Sequence, residues 1–183
     1  MRTQLSKPIR IALVGKMRSG KDTVADILMD LDEFQRVKFS KGIGEIIDNY
    51  LPNANANGKN RMIYQSIGQG MRSLDPMVWI NYSFSNIDWN KNIIVTDLRQ
   101  RNEYQFLKSN DFFIVKINSD EHNRIDRMNI DKDVFTEREM QHETEDSIDE
   151  YDVDLTIDND STIEELTLKL INLYDFLSRN KLK

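Results

Sequence analysis

Residues 10–23 read Arg10-Ile11-Ala12-Leu13-Val14-Gly15-Lys16-Met17-Arg18-Ser19-Gly20-Lys21-Asp22-Thr23. The apolar run Ile11 to Val14 stops at Gly15; it is too short for a helix and reads as a buried strand. From Thr23 onward, Val24, Ile27, Leu28 and Leu31 share one face of a helix. Between strand and helix lies Gly15 to Lys21, spaced G-x-x-x-x-G-K. That spacing has meaning only in this strand–loop–helix context. Successive backbone N–H groups of such a loop curl around a phosphate, and the helix N-terminus adds positive potential. Gly15 and Gly20 allow backbone angles that a side chain resists, and Lys21 reaches the β- and γ-phosphates of a nucleoside triphosphate. Lys16, Arg18 and Ser19 complete the predicted nucleotide-binding loop, with Asp22 and Thr23 behind them.

Further strands alternate with helices along the chain. Strands are predicted at Arg36–Phe39, Asn92–Asp97, Phe112–Ile117 and Leu155–Ile157, and helices at Ile43–Tyr50, Arg61–Leu74, Met77–Phe84, Gln100–Lys108 and Thr162–Leu177. Asn53–Asn60 is a polar loop without core residues. This alternation predicts an α/β domain over residues 1–183 with a mainly parallel five-stranded sheet.

Composition bounds what such a domain does. The 183 residues contain no cysteine and 2 histidines, which excludes disulfides, thiolate zinc sites and a cysteine nucleophile. No apolar run approaches the roughly 20 residues of a membrane span, and the first residues carry no apolar signal core, so the cytoplasm is expected. The net charge is −6, a poor match for non-specific nucleic-acid binding. Residues 120–160 hold 16 acids and 4 bases, a local −12. Three of those four bases are arginines, Arg124, Arg127 and Arg138, and Arg124 and Arg127 share a helix face. With few large apolar residues, 120–150 is expected to form mobile helices or no more than a solvated acidic surface.

One position of the loop departs from the common pattern. The residue after Lys21 is Asp22, where a Ser or Thr hydroxyl usually binds Mg²⁺. Three roles are open: Asp22 holds Mg²⁺ directly or through water, Thr23 reaches the metal instead, or Asp22 is a first-turn acid that complements the helix dipole. Asp97 closes an apolar strand, so it belongs at the carboxyl edge of the sheet, where it holds the Mg²⁺ shell or caps the next helix. Arg72 and Arg99 are candidates for gripping a second phosphate through the planar guanidinium fork.

Gly-x-x-x-x-Gly-Lys-Asp-Thr resembles the loop of the deoxynucleoside monophosphate kinases, including those of bacteriophages. Three later blocks agree: Gln65-x-x-Gly68-x-x-x-Arg72 followed by Pro76-x-x-Trp79, then Asp97-Leu98-Arg99-Gln100-Arg101-Asn102-Glu103, then His142-Glu143-Thr144-Glu145. The resemblance spans about residues 9–175. It implies a P-loop kinase-like three-layer fold with a helical lid over about residues 120–150. It implies ATP and Mg²⁺ as cofactors and a dNMP as acceptor of the γ-phosphoryl group, with no nucleic-acid or membrane partner; a homodimer is compatible with it. Lys21, Arg72, Arg99 and Arg127 would be catalytic, and Arg124 would bind the nucleotide. Arg72, Arg99, Trp79 and Glu103 would contact the acceptor, Trp79 by stacking on a base unless it lies in the core, Glu103 by orienting an arginine or a ribose hydroxyl unless it is a solvated helix acid. Two other readings stay open: transfer to a hydroxyl, as in dephospho-coenzyme A kinase, and a non-catalytic nucleotide-binding regulator.

Overall fold

The computed structural model describes residues 7–55, 60–130 and 147–180. Five strands form one parallel sheet: β1 (Arg10–Val14), β2 (Phe34–Val37), β3 (Asn92–Val95), β4 (Phe113–Asn118) and β5 (Leu155–Asp158). Their spatial order is β2-β3-β1-β4-β5. Ile11 is in register with Ile94 of β3, and Ala12 with Ile114 of β4. Central strands of this kind are covered on both faces and therefore read as unbroken apolar runs.

Seven described α-helices surround the sheet: α1 (Lys21–Leu31), α2 (Lys41–Tyr50), α3 (Arg61–Leu74), α4 (Val78–Phe84), α5 (Arg101–Ser109), α6 (Glu121–Ile130) and α7 (Ile163–Asn180). Alternate residues of β1 face opposite layers. Ile11 and Leu13 pack with Val24 and Leu28 of α1 and Leu166, Leu170 and Leu173 of α7. Ala12 and Val14 pack on the other face with Ile43 and Ile47 of α2, Trp79, Ile80 and Phe84 of α4, and Leu107 of α5. The result is three layers, as expected. Among the described residues no helix is long and apolar enough to cross a membrane.

Two segments differ from their sequence expectation. β2 lies two residues earlier than Arg36–Phe39, because Phe34 to Val37 are the residues that pair with Asn92 to Val95. Phe39 and Ser40 leave the ladder and give their N–H groups to the Asp97 carboxylate, at 2.8 and 2.9 Å. The chain therefore turns directly into α2. The second difference concerns α6, the described start of the expected lid, which is docked rather than solvent-facing: Met128 is fully buried and Arg124 is 8% exposed. Residues 131–146, with Arg138 and the block His142 to Glu145, lie outside the described residues, as do Ala56 to Lys59 of the polar loop.

Candidate phosphate-binding site

The strand order reverses its direction of growth around β1, so the crevice of the sheet opens at the carboxyl ends of β1 and its neighbours. The loop Gly15 to Gly20 occupies that place. Gly20 has φ 98° and Arg18 φ 61°, both left-handed. A Cβ on Gly15 would stand 2.3 Å from the Ile117 carbonyl oxygen, and one on Gly20 would stand 2.2 Å from Asn159 Nδ2. Both glycines are thus required by close approach of neighbouring strand ends. Lys21 Nζ turns back into the loop, donating to the carbonyls of Gly15 at 2.6 Å and Lys16 at 2.8 Å. Ser19 is buried, and its hydroxyl has no hydrogen-bond partner among the described residues. An ammonium inside the loop and a buried unmatched hydroxyl beside it form a donor set suited to phosphate oxygens.

Two elements brace the loop. Asn159, directly after β5, donates from Nδ2 to the Ser19 carbonyl at 2.8 Å. Arg127 of α6 bonds the Arg18 carbonyl at 3.1 Å, Ser119 Oγ at 3.1 Å and the Asn159 carbonyl at 2.7 Å. Arg124 reaches the Met17 carbonyl at 3.4 Å. Two of the three predicted lid arginines, Arg124 and Arg127, therefore sit at the loop, attached to its backbone. Lys16 pairs with Asp149 at 3.4 Å, and Lys116 of β4 bonds the same carboxylate at 2.5 Å. The Lys116 hydrogen bond and charge, with Lys16 added, hold the Asp149 carboxyl below the usual range against the effect of burial.

The metal candidates are spread along the sheet edge. Asp22 is largely exposed and pairs with Lys38 at 2.9 Å and with Arg36, both from the end of β2. Burial pushes its carboxyl up, but Lys38 and Arg36 outweigh that and hold it low, so it is ionised at neutral pH. Thr23 is exposed in the first turn of α1. Asp97 caps the entry to α2 through both oxygens. The hydroxyl of Thr96, buried beside it, has no partner among the described residues. No group of three or more acidic or histidine side chains forms a cation cage among the described residues. The donor set, hard oxygens supplied singly, still suits Mg²⁺, which is usually held by one or two carboxylates together with substrate phosphates.

Glu103 joins the Arg72 side chain to the backbone at Arg99. Arg72 Nη2 donates to Glu103 Oε1 at 3.0 Å, while Glu103 Oε2 accepts the backbone N–H groups of Arg99 and Gln100, each at 3.0 Å. The second pair of contacts is the capping box that starts α5. Glu103 is buried; desolvation and the nearby Asp97 charge push its carboxyl up, opposed by Arg72. Trp79 lies in the core at 3% exposure, and its Nε1 donates to the Gly68 carbonyl at 3.1 Å. Its ring packs under α3 instead of lining the crevice.

Asn159, Lys116, Asp149 and Thr96 were not among the residues singled out from the sequence. Their only signal is position: Lys116 lies within β4, Thr96 and Asn159 just beyond strand ends, and Asp149 in the segment that returns to the sheet.

No family profile and no curated protein sequence matches the chain. Solved structures do. A shikimate kinase from Acinetobacter baumannii, in complex with shikimate, aligns over 98% of this chain and 98% of its own, with a TM-score of 0.62 and 18% identity. A gluconokinase from Sinorhizobium meliloti 1021 aligns over 95% of each chain, with a TM-score of 0.61 and 14% identity. A shikimate kinase from Aquifex aeolicus covers 91% of this chain and 96% of its own, with a TM-score of 0.53 and 17% identity. At these identities the likeness establishes the fold: a P-loop kinase-like α/β fold with a five-stranded parallel sheet.

Proposed function

We propose that the chain is an ATP-dependent phosphotransferase whose acceptor is a nucleoside monophosphate, preferentially a dNMP, with dNDP as product. The observation that carries this reading is the Arg72 guanidinium held by Glu103, which also binds the backbone N–H of Arg99, close to Asp97 and one strand away from the Lys21 loop. A phosphate-binding loop supports a triphosphate donor. An ordered arginine fork beside it, that of Arg72, supports a second anion, because a guanidinium that makes parallel hydrogen bonds matches a phosphate better than a neutral hydroxyl. The kinase fold of the structural relatives agrees with phosphoryl transfer in general.

In this reading the triphosphate lies along Gly15 to Thr23, its β- and γ-oxygens on Lys21 and Ser19. Arg72 and Arg99 hold the 5′-phosphate of the acceptor in line with the γ-phosphorus. An acceptor oxygen, already anionic, forms the new P–O bond while the bond to the β,γ-bridging oxygen breaks and ADP leaves. No strong general base is needed, and catalysis is alignment plus charge neutralisation. Asp97, Asp22 and Thr23 are the residues that would hold Mg²⁺, and the ion would supply positive charge to offset that of the phosphates. Arg127, attached to the loop, adds a cation to the transferring group, and α6 shields the loop from water.

The test is ADP release with Mg–ATP and a panel of all common dNMPs and NMPs, with shikimate as a hydroxyl acceptor and water alone as background. Monophosphate-dependent release is expected. Release that follows the hydroxyl acceptor, or nucleotide binding without turnover, overturns the assignment.

A further inference from the structure

A capping glutamate ordinarily sits at the surface, where water helps to solvate its charge. Glu103 is different: its side chain is 2% exposed, and it is bonded to another element altogether. One oxygen serves the N-terminus of α5 at Arg99 and Gln100; the other serves the guanidinium of Arg72 on α3. Capping alone explains the first contact and requires neither the burial nor the second. Arg72 is itself 19% exposed, and its fork folds back along its own helix. Gly68, one turn earlier, makes room for it: a Cβ there would stand 3.1 Å from Arg72 Nη1 and 3.2 Å from Ile43 Cδ1. Gly68 is buried, with its carbonyl held by Trp79 Nε1 at 3.1 Å. The Arg72 guanidinium is therefore bounded by the helix backbone on one side and by a buried anion on the other.

We infer that Glu103 is a positioning residue for the acceptor site: one buried carboxylate sets the Arg72 fork and the Arg99 backbone as a single unit, so that the acceptor phosphate meets a clamp already built. The inference rests on the acceptor assignment proposed above. Both Glu103 oxygens are engaged within the protein, so Glu103 acts through Arg72 and Arg99 and not by touching the substrate. The advantage is preorganisation: a long arginine that is already ordered loses less freedom when the phosphate arrives.

The experiment is steady-state kinetics and calorimetric binding of a dNMP on the full chain, for wild type, Glu103→Gln, Gly68→Ala, Arg72→Lys and the double variant Glu103→Gln/Arg72→Lys. Glutamine retains an oxygen for the α5 N–H groups but loses the charge that holds Arg72. Glu103→Gln is expected to raise KM and Kd for the monophosphate roughly tenfold, with KM for ATP within about twofold of wild type and the melting temperature close to it. Gly68→Ala disturbs the fork without touching Glu103 and should give the same split if Glu103→Gln fails to fold. The double variant should be no worse than Arg72→Lys alone, because both substitutions remove one interaction. Unchanged monophosphate affinity in Glu103→Gln and Gly68→Ala, with an active wild type, overturns the inference and leaves Glu103 as a helix cap. Equal weakening of ATP and monophosphate overturns it as well. A wild type that turns over no monophosphate overturns the acceptor assignment instead, and is read from the wild-type assay alone.

Discussion

Lys21 is the residue on which most of the proposed chemistry converges. Its ammonium occupies the inside of the loop through bonds to the Gly15 and Lys16 carbonyls, and it contributes no core surface. Lys21→Ala should therefore abolish phosphoryl transfer while circular dichroism and melting remain near wild type; near-normal turnover would remove the loop from the mechanism. Arg72 has the opposite balance, because its partner is buried. Arg72→Met leaves the Glu103 carboxylate without its cation, at a cost of up to about 3–5 kcal/mol where that group is ionised. Burial and the Asp97 charge already push Glu103 up, and loss of Arg72 pushes it further. A folded-state value above the unfolded one means that stability falls as pH rises from the unfolded value through the folded one. The deficit of Arg72→Met against wild type, measured by urea unfolding, should thus be large at pH ~8 and smaller at pH ~5. A deficit independent of pH would mean that losing Arg72 does not change the protonation of Glu103.

At the scale of elements, α6 joins the phosphate loop to the end of β5. Arg127 touches the loop, Ser119 and Asn159 at once, so its guanidinium connects three segments that contact or approach the nucleotide in the proposed reaction. Arg127→Ala is expected to lower kcat more than it raises either KM, since a cation near the transferring group acts mainly in the transition state. Amide exchange in Glu121–Ile130 should slow when Mg–ATP and a monophosphate are both bound, whereas Ile93 to Val95, already inside the sheet, should barely change. A normal kcat in Arg127→Ala together with unaltered exchange in α6 would make this helix a structural brace only.

Across the whole molecule, the loop, Asn159, α6 and the Lys16–Asp149–Lys116 group would couple the proposed nucleotide binding to the folded state, because none of these arrangements exists in the unfolded chain. A ligand at about 100 times its Kd then adds about 2.7 kcal/mol. For a chain of this size each kcal/mol is worth about 2–4 °C, so saturating Mg–ATP should raise Tm by roughly 5–10 °C. Lys21→Ala should lose most of that rise. An equal rise in wild type and variant would place the bound nucleotide somewhere other than this loop.

What the amino-acid order determined by itself is local. A short apolar run before Gly15, an amphipathic stretch after Lys21 and the alternation that follows are properties of neighbouring residues, and they define strand, loop and helix wherever the chain folds. Asp97 was legible in the same way, as the polar end of an apolar strand. Three-dimensional structure alone decided which distant groups meet. Arg72 and Glu103 are 31 residues apart, and Ser19 and Asn159 are 140 apart. Their pairing depends on how α3 packs against α5 and on β5 reaching the sheet edge, and no periodicity encodes either. The place of Trp79 was settled by space under α3, and the bounds of β2 by which residues met β3. The physical reason is one of range. Backbone preference and hydrophobic periodicity act within a few residues, whereas burial forces a polar group to take whatever partner the packed layers bring within about 3 Å.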